Sequence, residues 1–146
     1  MNRVLLDVNV LLALLWPRHE SHTAAHAWFA KSGHRAWATN PLIQLGVLRL
    51  LTNPAVTQGA VSSATALQAL GEAIGQSGHE FWPLDREMPA SLKTLAGRVR
   101  GHRQWTDALL LWHARAHDGV LVTFDSGVKQ LAAAEFGGHV LLLKRS

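Results

Sequence analysis

The chain contains no cysteine. That excludes disulfides and thiolate metal sites, and it points to a reducing compartment, the cytoplasm. No stretch reaches the roughly 18 uninterrupted apolar residues that a membrane span needs, so no membrane partner is expected. The apolar N-terminus does not read as a secretory signal. Asp7 and Asn9 interrupt it and no small-residue cleavage motif follows. Gly-rich phosphate loops and Ser/His/Asp nucleophile signatures are missing, which removes support for kinases and serine hydrolases. Repeats, linkers and low-complexity segments are missing too. With 146 residues, the chain reads as one domain spanning 1–146, long enough to bury a real core. Acids are scarce, ten against fourteen Lys and Arg. The net charge of +4 and a pI of about 10.4 suit a polyanionic partner without requiring one.

What is there begins with Arg3 to Trp16, an apolar run that meets one acid, Asp7, and then continues apolar. Val4 to Leu6 predicts a buried strand and Val8 to Trp16 a helix stopped by Pro17. Asp7 between them is either a helix cap or one wall of an acidic pocket at a strand end. Further on, Ser21 is expected to cap a helix through Ala30. Arg35–Thr39 reads as a second strand, and Pro41 opens a helix to Leu51 that Asn53-Pro54 stops. Ser62 or Ser63 opens a helix to about Ile74, His79–Trp82 reads as a strand, and Met88–Val99 as a helix. Thr106 is expected to cap a helix over Asp107–His117 ending in the Asp118-Gly119 turn. Val120–Phe124 is the clearest strand, followed by a helix over Ser126–Glu135 and a last strand at Val140–Leu143. Strands alternating with helices predict α/β class, a three-layer α/β/α sandwich around a parallel sheet.

Two of the ten acids, Asp7 and Asp125, end apolar strands and face helix starts. Asp107 begins the helix that leads into the Asp125 strand, and a right-handed crossover returns it to the same sheet edge. Three carboxylates without His or Cys partners favour a hard cation, Mg²⁺ or Mn²⁺, over zinc. Each acid taken alone also fits a cap or a first-turn position favoured by the helix dipole.

The segments Leu6-Asp7-Val8-Asn9-Val10-Leu11, Thr39-Asn40-Pro41-Leu42 through Leu51-Thr52-Asn53-Pro54, Trp105-Thr106-Asp107-Ala108-Leu109-Leu110 and Leu121-Val122-Thr123-Phe124-Asp125 carry a resemblance. Together, in this order and spacing, they resemble the PIN-domain ribonucleases, specifically the VapC-type toxins of bacterial toxin–antitoxin pairs. The stretch of His19, His22 and Trp28 resembles one branch of them. The resemblance implies a single PIN-like domain that hydrolyses RNA by metal-activated water. By position, Asp7, Asp107 and Asp125 are then the Mg²⁺ or Mn²⁺ carboxylates, with Asn9 and Thr123 as hydrogen-bonding supports. It also implies a homodimer held inactive by a partner antitoxin whose C-terminal segment covers the pocket.

One position departs from that family pattern. The helix after Pro41 normally supplies a glutamate near its first turn, and here the place belongs to Gln44. Gln keeps the shape and one acceptor, loses a charge and adds an amide donor. The milder expectation is weaker metal affinity. The harsher is a PIN-fold module that binds RNA or antitoxin without cutting. A DNA-directed nuclease of similar fold is a weaker alternative, because the chain lacks room for the extra elements such enzymes use. Arg98, Arg100 and Arg103, with His102, form the only dense basic run and are candidate RNA contacts. His22 and His26 share a helical face but lack a third zinc ligand, so packing or capping is expected of them. Trp28, Trp37 and Trp112 read as core, while Trp16, Trp82 and Trp105 stand near loops. Asp85 reads as a helix cap outside the pocket.

Overall fold

The computed structural model describes residues 3–145. Its strands are β1 (Val4–Leu6), β2 (Trp37–Thr39), β3 (His79–Phe81), β4 (Val120–Thr123) and β5 (Val140–Leu142). Its helices are α1 (Val8–Leu15), α2 (His22–Lys31), α3 (Pro41–Leu51), α4 (Pro54–Thr57), α5 (Ser63–Ile74), α6 (Met88–Leu92), α7 (Gln104–Ala116) and α8 (Ser126–Ala132). All strand pairs are parallel, in the order β3-β2-β1-β4-β5. The α/β/α sandwich with a parallel central sheet is therefore as expected. Helix α1 packs on α2, α3 and α5, while α7 packs on α6 and α8.

Strand order fixes where a site can form. From β1 the chain moves outward one way through β2 and β3, and β4 and β5 lie on the other side. The switch in direction falls between β1 and β4, the place where sheets of this kind form a crevice beyond the carboxyl ends of their strands. Leu6 pairs with Val122, and the Asp7 N–H donates to the Val122 carbonyl at 2.9 Å. The two strand ends therefore finish level, one step before Asp7 and three before Asp125.

The central strands are apolar because both faces are covered. Leu5, Leu6, Ala38, Leu121 and Val122 are wholly buried, with Val10, Ile43, Val47, Leu110 and Leu111 from the flanking helices. Close approach of α1 and α3 depends on Gly46, where a Cβ would lie 2.8 Å from a Val8 methyl. Pro17 ends α1 and also lacks the N–H that the Ala13 carbonyl would otherwise receive. His22 Nδ1 fills that gap at 2.7 Å, and His26 Nε2 meets the Leu14 carbonyl at 3.1 Å. These histidines tie α2 to the end of α1, in line with the packing and capping expected of them.

Several element boundaries depart from the sequence reading. Ser21 precedes α2 but makes no side-chain cap, and its hydroxyl is buried without a partner. Gly33–Arg35 forms a 3₁₀ turn, which shortens β2 to Trp37–Thr39. Asn53-Pro54 starts the short α4 rather than only ending α3, since Asn53 caps the Ala55 N–H and Pro suits a first turn. The expected helix over Met88–Val99 breaks after Leu92 and resumes as a 3₁₀ turn over Ala96–Arg98. Helix α7 starts at Gln104, so Thr106 lies inside its first turn and is not the cap. The Gln104 side chain reaches back to accept the Arg100 N–H at 2.7 Å, which supports the earlier start. Asp85 is exposed in irregular chain and Glu87 occupies the N-cap of α6, so Asp85 is not a cap. Trp82 is 1% exposed rather than at a loop surface, stacked on His117 at 4.0 Å.

Candidate active site

Asp7 is both of the things its sequence position allows. It is the N-cap of α1, where Oδ1 accepts the Val8 N–H at 2.7 Å. It also stands at the β1–β4 crevice, where its Oδ2 accepts the Thr123 hydroxyl at 2.7 Å. Burial pushes its carboxyl above the usual carboxylate range. The hydrogen bonds from Thr123 and Val8 oppose that rise, and the nearby charge of Asp125 adds to it.

Thr123 is the hub of this edge. Its oxygen, wholly buried at the end of β4, also accepts the Asp125 N–H at 3.0 Å and the Asn9 amide at 3.3 Å. Asn9 Oδ1 in turn accepts the Phe124 N–H at 3.2 Å. One turn of α1 is thereby fastened to the turn that leaves β4. Asp125 caps α8, accepting the Gly127 N–H at 2.8 Å on Oδ1, and its side chain stays exposed.

Asp107 lies half-buried in the first turn of α7. Its carboxyl is pushed up to about 7, mainly by burial and then by the negative charges of Asp7 and Asp125. The three acids predicted from the sequence therefore act on one another from three separate elements. Among the described residues, no three Asp, Glu or His side chains are already closed around a single point as ligands. Mg²⁺ does not require that, since it commonly keeps several waters and takes one or two carboxylates directly. Asp7, with each oxygen accepting one hydrogen bond, retains acceptor capacity. The crowded, partly desolvated negative charge at Asp107 is what a divalent cation would relieve. The donor chemistry fits a hard cation.

Gln44 stands in the first turn of α3, which follows β2 at the same end of the sheet. Its Nε2 donates to the Thr39 hydroxyl at 3.0 Å, and that oxygen lies 2.7 Å from His79 Nε2. Asn40 caps α3 through Ile43 N–H at 2.9 Å and meets His113 Nδ1 at 3.0 Å, both side chains buried. Neither link was visible in the sequence, where Thr39-Asn40-Pro41 marks only a strand end and a helix start. A His79 forty positions from Thr39 leaves no local signal.

The basic run divides. Arg100 and Arg103 are exposed just before and at the N-cap of α7. Arg98 is turned elsewhere, donating to the Leu131 carbonyl at 2.8 Å and pairing with Glu135 at 3.5 Å. Trp105, 46% exposed, lines a shallow apolar groove with Met88, Pro89 and Leu92. Among the described residues no helix is long and apolar enough to cross a membrane.

Comparisons with known proteins give the family and the fold. The PIN domain family model matches residues 4–134. Ribonuclease VapC39 of Mycobacterium tuberculosis is 38% identical over 130 residues, covering 89% of this chain and 94% of the relative. Ribonuclease VapC38 of the same organism is 41% identical over 128 residues, covering 88% and 89%. Among solved structures, VapBC2 from Rickettsia felis, bound to a DNA fragment from its promoter, matches with a TM-score of 0.65. That match is at 14% identity and covers 97% of this chain and 98% of that one.

Proposed function

The chain belongs to the PIN-domain family as a ribonuclease toxin of the VapC type, and we propose that it is a Mg²⁺- or Mn²⁺-dependent endoribonuclease working at the crevice between β1 and β4. The observation that carries this reading is the hydrogen-bonded bridge from Asp7 through Thr123 to Asp125, with Asp107 coupled to both acids.

Asp7, Asp107 and Asp125 are the carboxylates that would hold the cation. A divalent ion bound there supplies neutralisation of charge on the scissile phosphate and acidifies a water for attack. The chain's own residues set the geometry. Thr123 and the Val8 N–H fix both oxygens of Asp7. Asn9 holds the β4–α8 turn, and so the approach of Asp125. With its carboxyl near 7, Asp107 can hold or release a proton around neutral pH. Arg100 and Arg103 present cations to the RNA backbone near the start of α7, whereas Arg98 contributes mainly by bracing α8. Gln44 borders the pocket as an amide.

The reading extends to residues 1–146 as a single PIN-like domain, active in the cytoplasm as a homodimer. Its partner antitoxin holds it inactive by covering the pocket. The likeness to Ribonuclease VapC39 and VapC38 over nearly their whole lengths supports the assignment. The test is cleavage of total RNA with Mg²⁺ and with EDTA, comparing the native chain with Asp7→Asn and Asp125→Asn. Loss of cutting in EDTA and in both variants is expected, and unchanged cleavage in both variants would sink the reading.

A second reading is favoured by one observation, the amide at position 44. In it the chain binds RNA or antitoxin without turnover, and Gln44→Glu restores cutting. Equal cleavage by the native chain and Gln44→Glu overturns it.

A further inference from the structure

Trp105 stands in the first turn of α7, 46% exposed and two residues before Asp107. It shares an apolar groove of about 340 Å³ with Met88, itself 49% exposed, and with Pro89, Leu92 and Ala96. That volume is at the lower end of the range for small-ligand sites. Lys93 is the charged residue in the lining. A tryptophan beside an open apolar surface offers a flat face for another ring to stack on.

The surroundings of the groove are basic. From Asp85 to Trp105 the chain carries five Lys and Arg against two acids, and one of those acids, Asp85, lies 3.9 Å from Arg86. Arg98 is held by the Leu131 carbonyl and Glu135. Lys93, Arg100 and Arg103 are exposed and make no ion pair among the described residues. Arg103 is the N-cap residue of α7, where no side chain caps the first backbone N–H groups. The arginine charge and the helix dipole both favour an anion at that end.

Residues two apart on a helix lie about 200° apart around its axis. Trp105 therefore faces α6, while Asp107 faces the other way and feels the charges of Asp7 and Asp125. A chain crossing this helix end meets an aromatic face, then cations, then the acids. Single-stranded nucleic acid has the matching sequence of parts, a flat ring followed by a phosphate.

We propose that the groove between α6 and α7 is a nucleobase subsite, in which Trp105 stacks one unpaired base of the RNA while Arg100 and Arg103 hold the phosphates that cross the start of α7. The subsite tolerates any base, because every base has a π-face, and it requires a base that is free of its stack. The choice of RNA rests on the nuclease reading, but the test measures binding apart from cleavage.

The experiment is fluorescence anisotropy in EDTA with the full chain and a labelled single-stranded RNA of mixed sequence, about twelve nucleotides long. A strand of the same length without bases is the control. Trp105→Ala and Trp105→Leu are expected to weaken RNA binding about tenfold, and Trp105→Phe to stay within about threefold of the native chain. All four proteins are expected to bind the strand without bases equally. Arg103→Ala weakens both strands and lowers the salt dependence, which Trp105→Leu leaves unchanged. Trp105→Leu binding RNA as tightly as the native chain overturns the proposal. So does an equal loss of both strands in Trp105→Ala and Trp105→Leu. A smaller species on gel filtration with unchanged RNA binding also overturns it, since the groove then joins two copies of the chain. If binding behaves as expected and the native chain cuts no RNA in Mg²⁺, the subsite stands and the nuclease reading falls. If the native chain cuts and Trp105→Leu binds as it does, the nuclease reading stands and the subsite falls.

Discussion

The Thr123 hydroxyl donates to Asp7 Oδ2 at 2.7 Å, joining residues 116 positions apart at the ends of two adjacent parallel strands. That one bond converts two strand ends into one edge. The same oxygen accepts from Asp125 N–H and from Asn9, so its loss loosens three positions at once.

Thr123→Val removes the hub while keeping the shape of the side chain. Leaving these buried partners unmet costs about 1.5–3 kcal/mol of stability, at the charged end of the hydrogen-bond range. Cleavage is expected to fall by at least tenfold, and Thr123→Ser to retain most of both. Urea unfolding and an RNA cleavage assay on the three proteins measure this.

Asp107 makes the metal-free protein less stable as pH rises from 3.8 to about 7. Its folded value of about 7 lies above the unfolded 3.8, so the folded state binds more protons between those limits. Its contribution is fully present below the lower value and is lost as pH rises through 7. Asp107→Asn is therefore more stable than the native chain at pH 8, and Mg²⁺ raises the Tm of the native chain only. Thermal unfolding at pH 8 in EDTA and in Mg²⁺ checks both, and a native Tm indifferent to Mg²⁺ contradicts the cation role.

His113 acts in the opposite sense. It is 2% exposed, and burial, helped by His117, lowers it from 6.5 to about 4. Between those values the unfolded chain binds the extra proton, so stability falls as pH drops from 6.5 toward 4, by up to about 3 kcal/mol. His113→Gln is expected to flatten this acid limb in a series of denaturant melts. A native chain equally stable at pH 4.5 and 6.5, after allowing for Asp107, argues against it.

Gln44→Glu adds a carboxylate in the first turn of α3, at the end of the sheet that carries Asp7 and Asp125, and on the proposed reading it joins theirs. The Mg²⁺ concentration for half-maximal cleavage is expected to fall about tenfold, the lower end of the effect of residues that support metal ligands. A Mg²⁺ titration of both proteins measures the shift, and no change places the position 44 side chain outside the influence of the cation.

Gly46→Ala tests how α3, and with it Gln44, is held against α1. The added Cβ meets Val8 at 2.8 Å, an overlap expected to cost about 1–3 kcal/mol. Adding Val8→Ala opens the space, so the double variant recovers part of the loss. A double-mutant cycle by urea unfolding reads the coupling, and simple additivity of the two changes is the contrary result.

Much of the element order and the three acids were legible in the sequence. Asp7 and Asp125 each follow an apolar, β-branched or leucine-rich run, and such runs next to a helix start leave few other local structures open. Errors fell where local rules compete. Thr106 is a good cap residue, yet α7 starts at Gln104, because the Gln104 side chain offers the Arg100 N–H a partner. Trp82 sits beside Pro83 and looks like a loop residue, but stacking on His117 buries it.

The sequence by itself determined the α/β class and which strands end in a carboxylate, since both follow from periodicity and from residues adjacent in the chain. Only the tertiary structure decided that β1 and β4 are neighbours, that Thr123 binds Asp7, that Arg98 turns away from Arg100 and Arg103, and that Thr39 meets both Gln44 and His79. Those are contacts between distant parts of the chain. Sheet pairing creates them, and burial then makes each hydrogen bond obligatory, because a buried polar group without a partner costs more than the bond is worth in water.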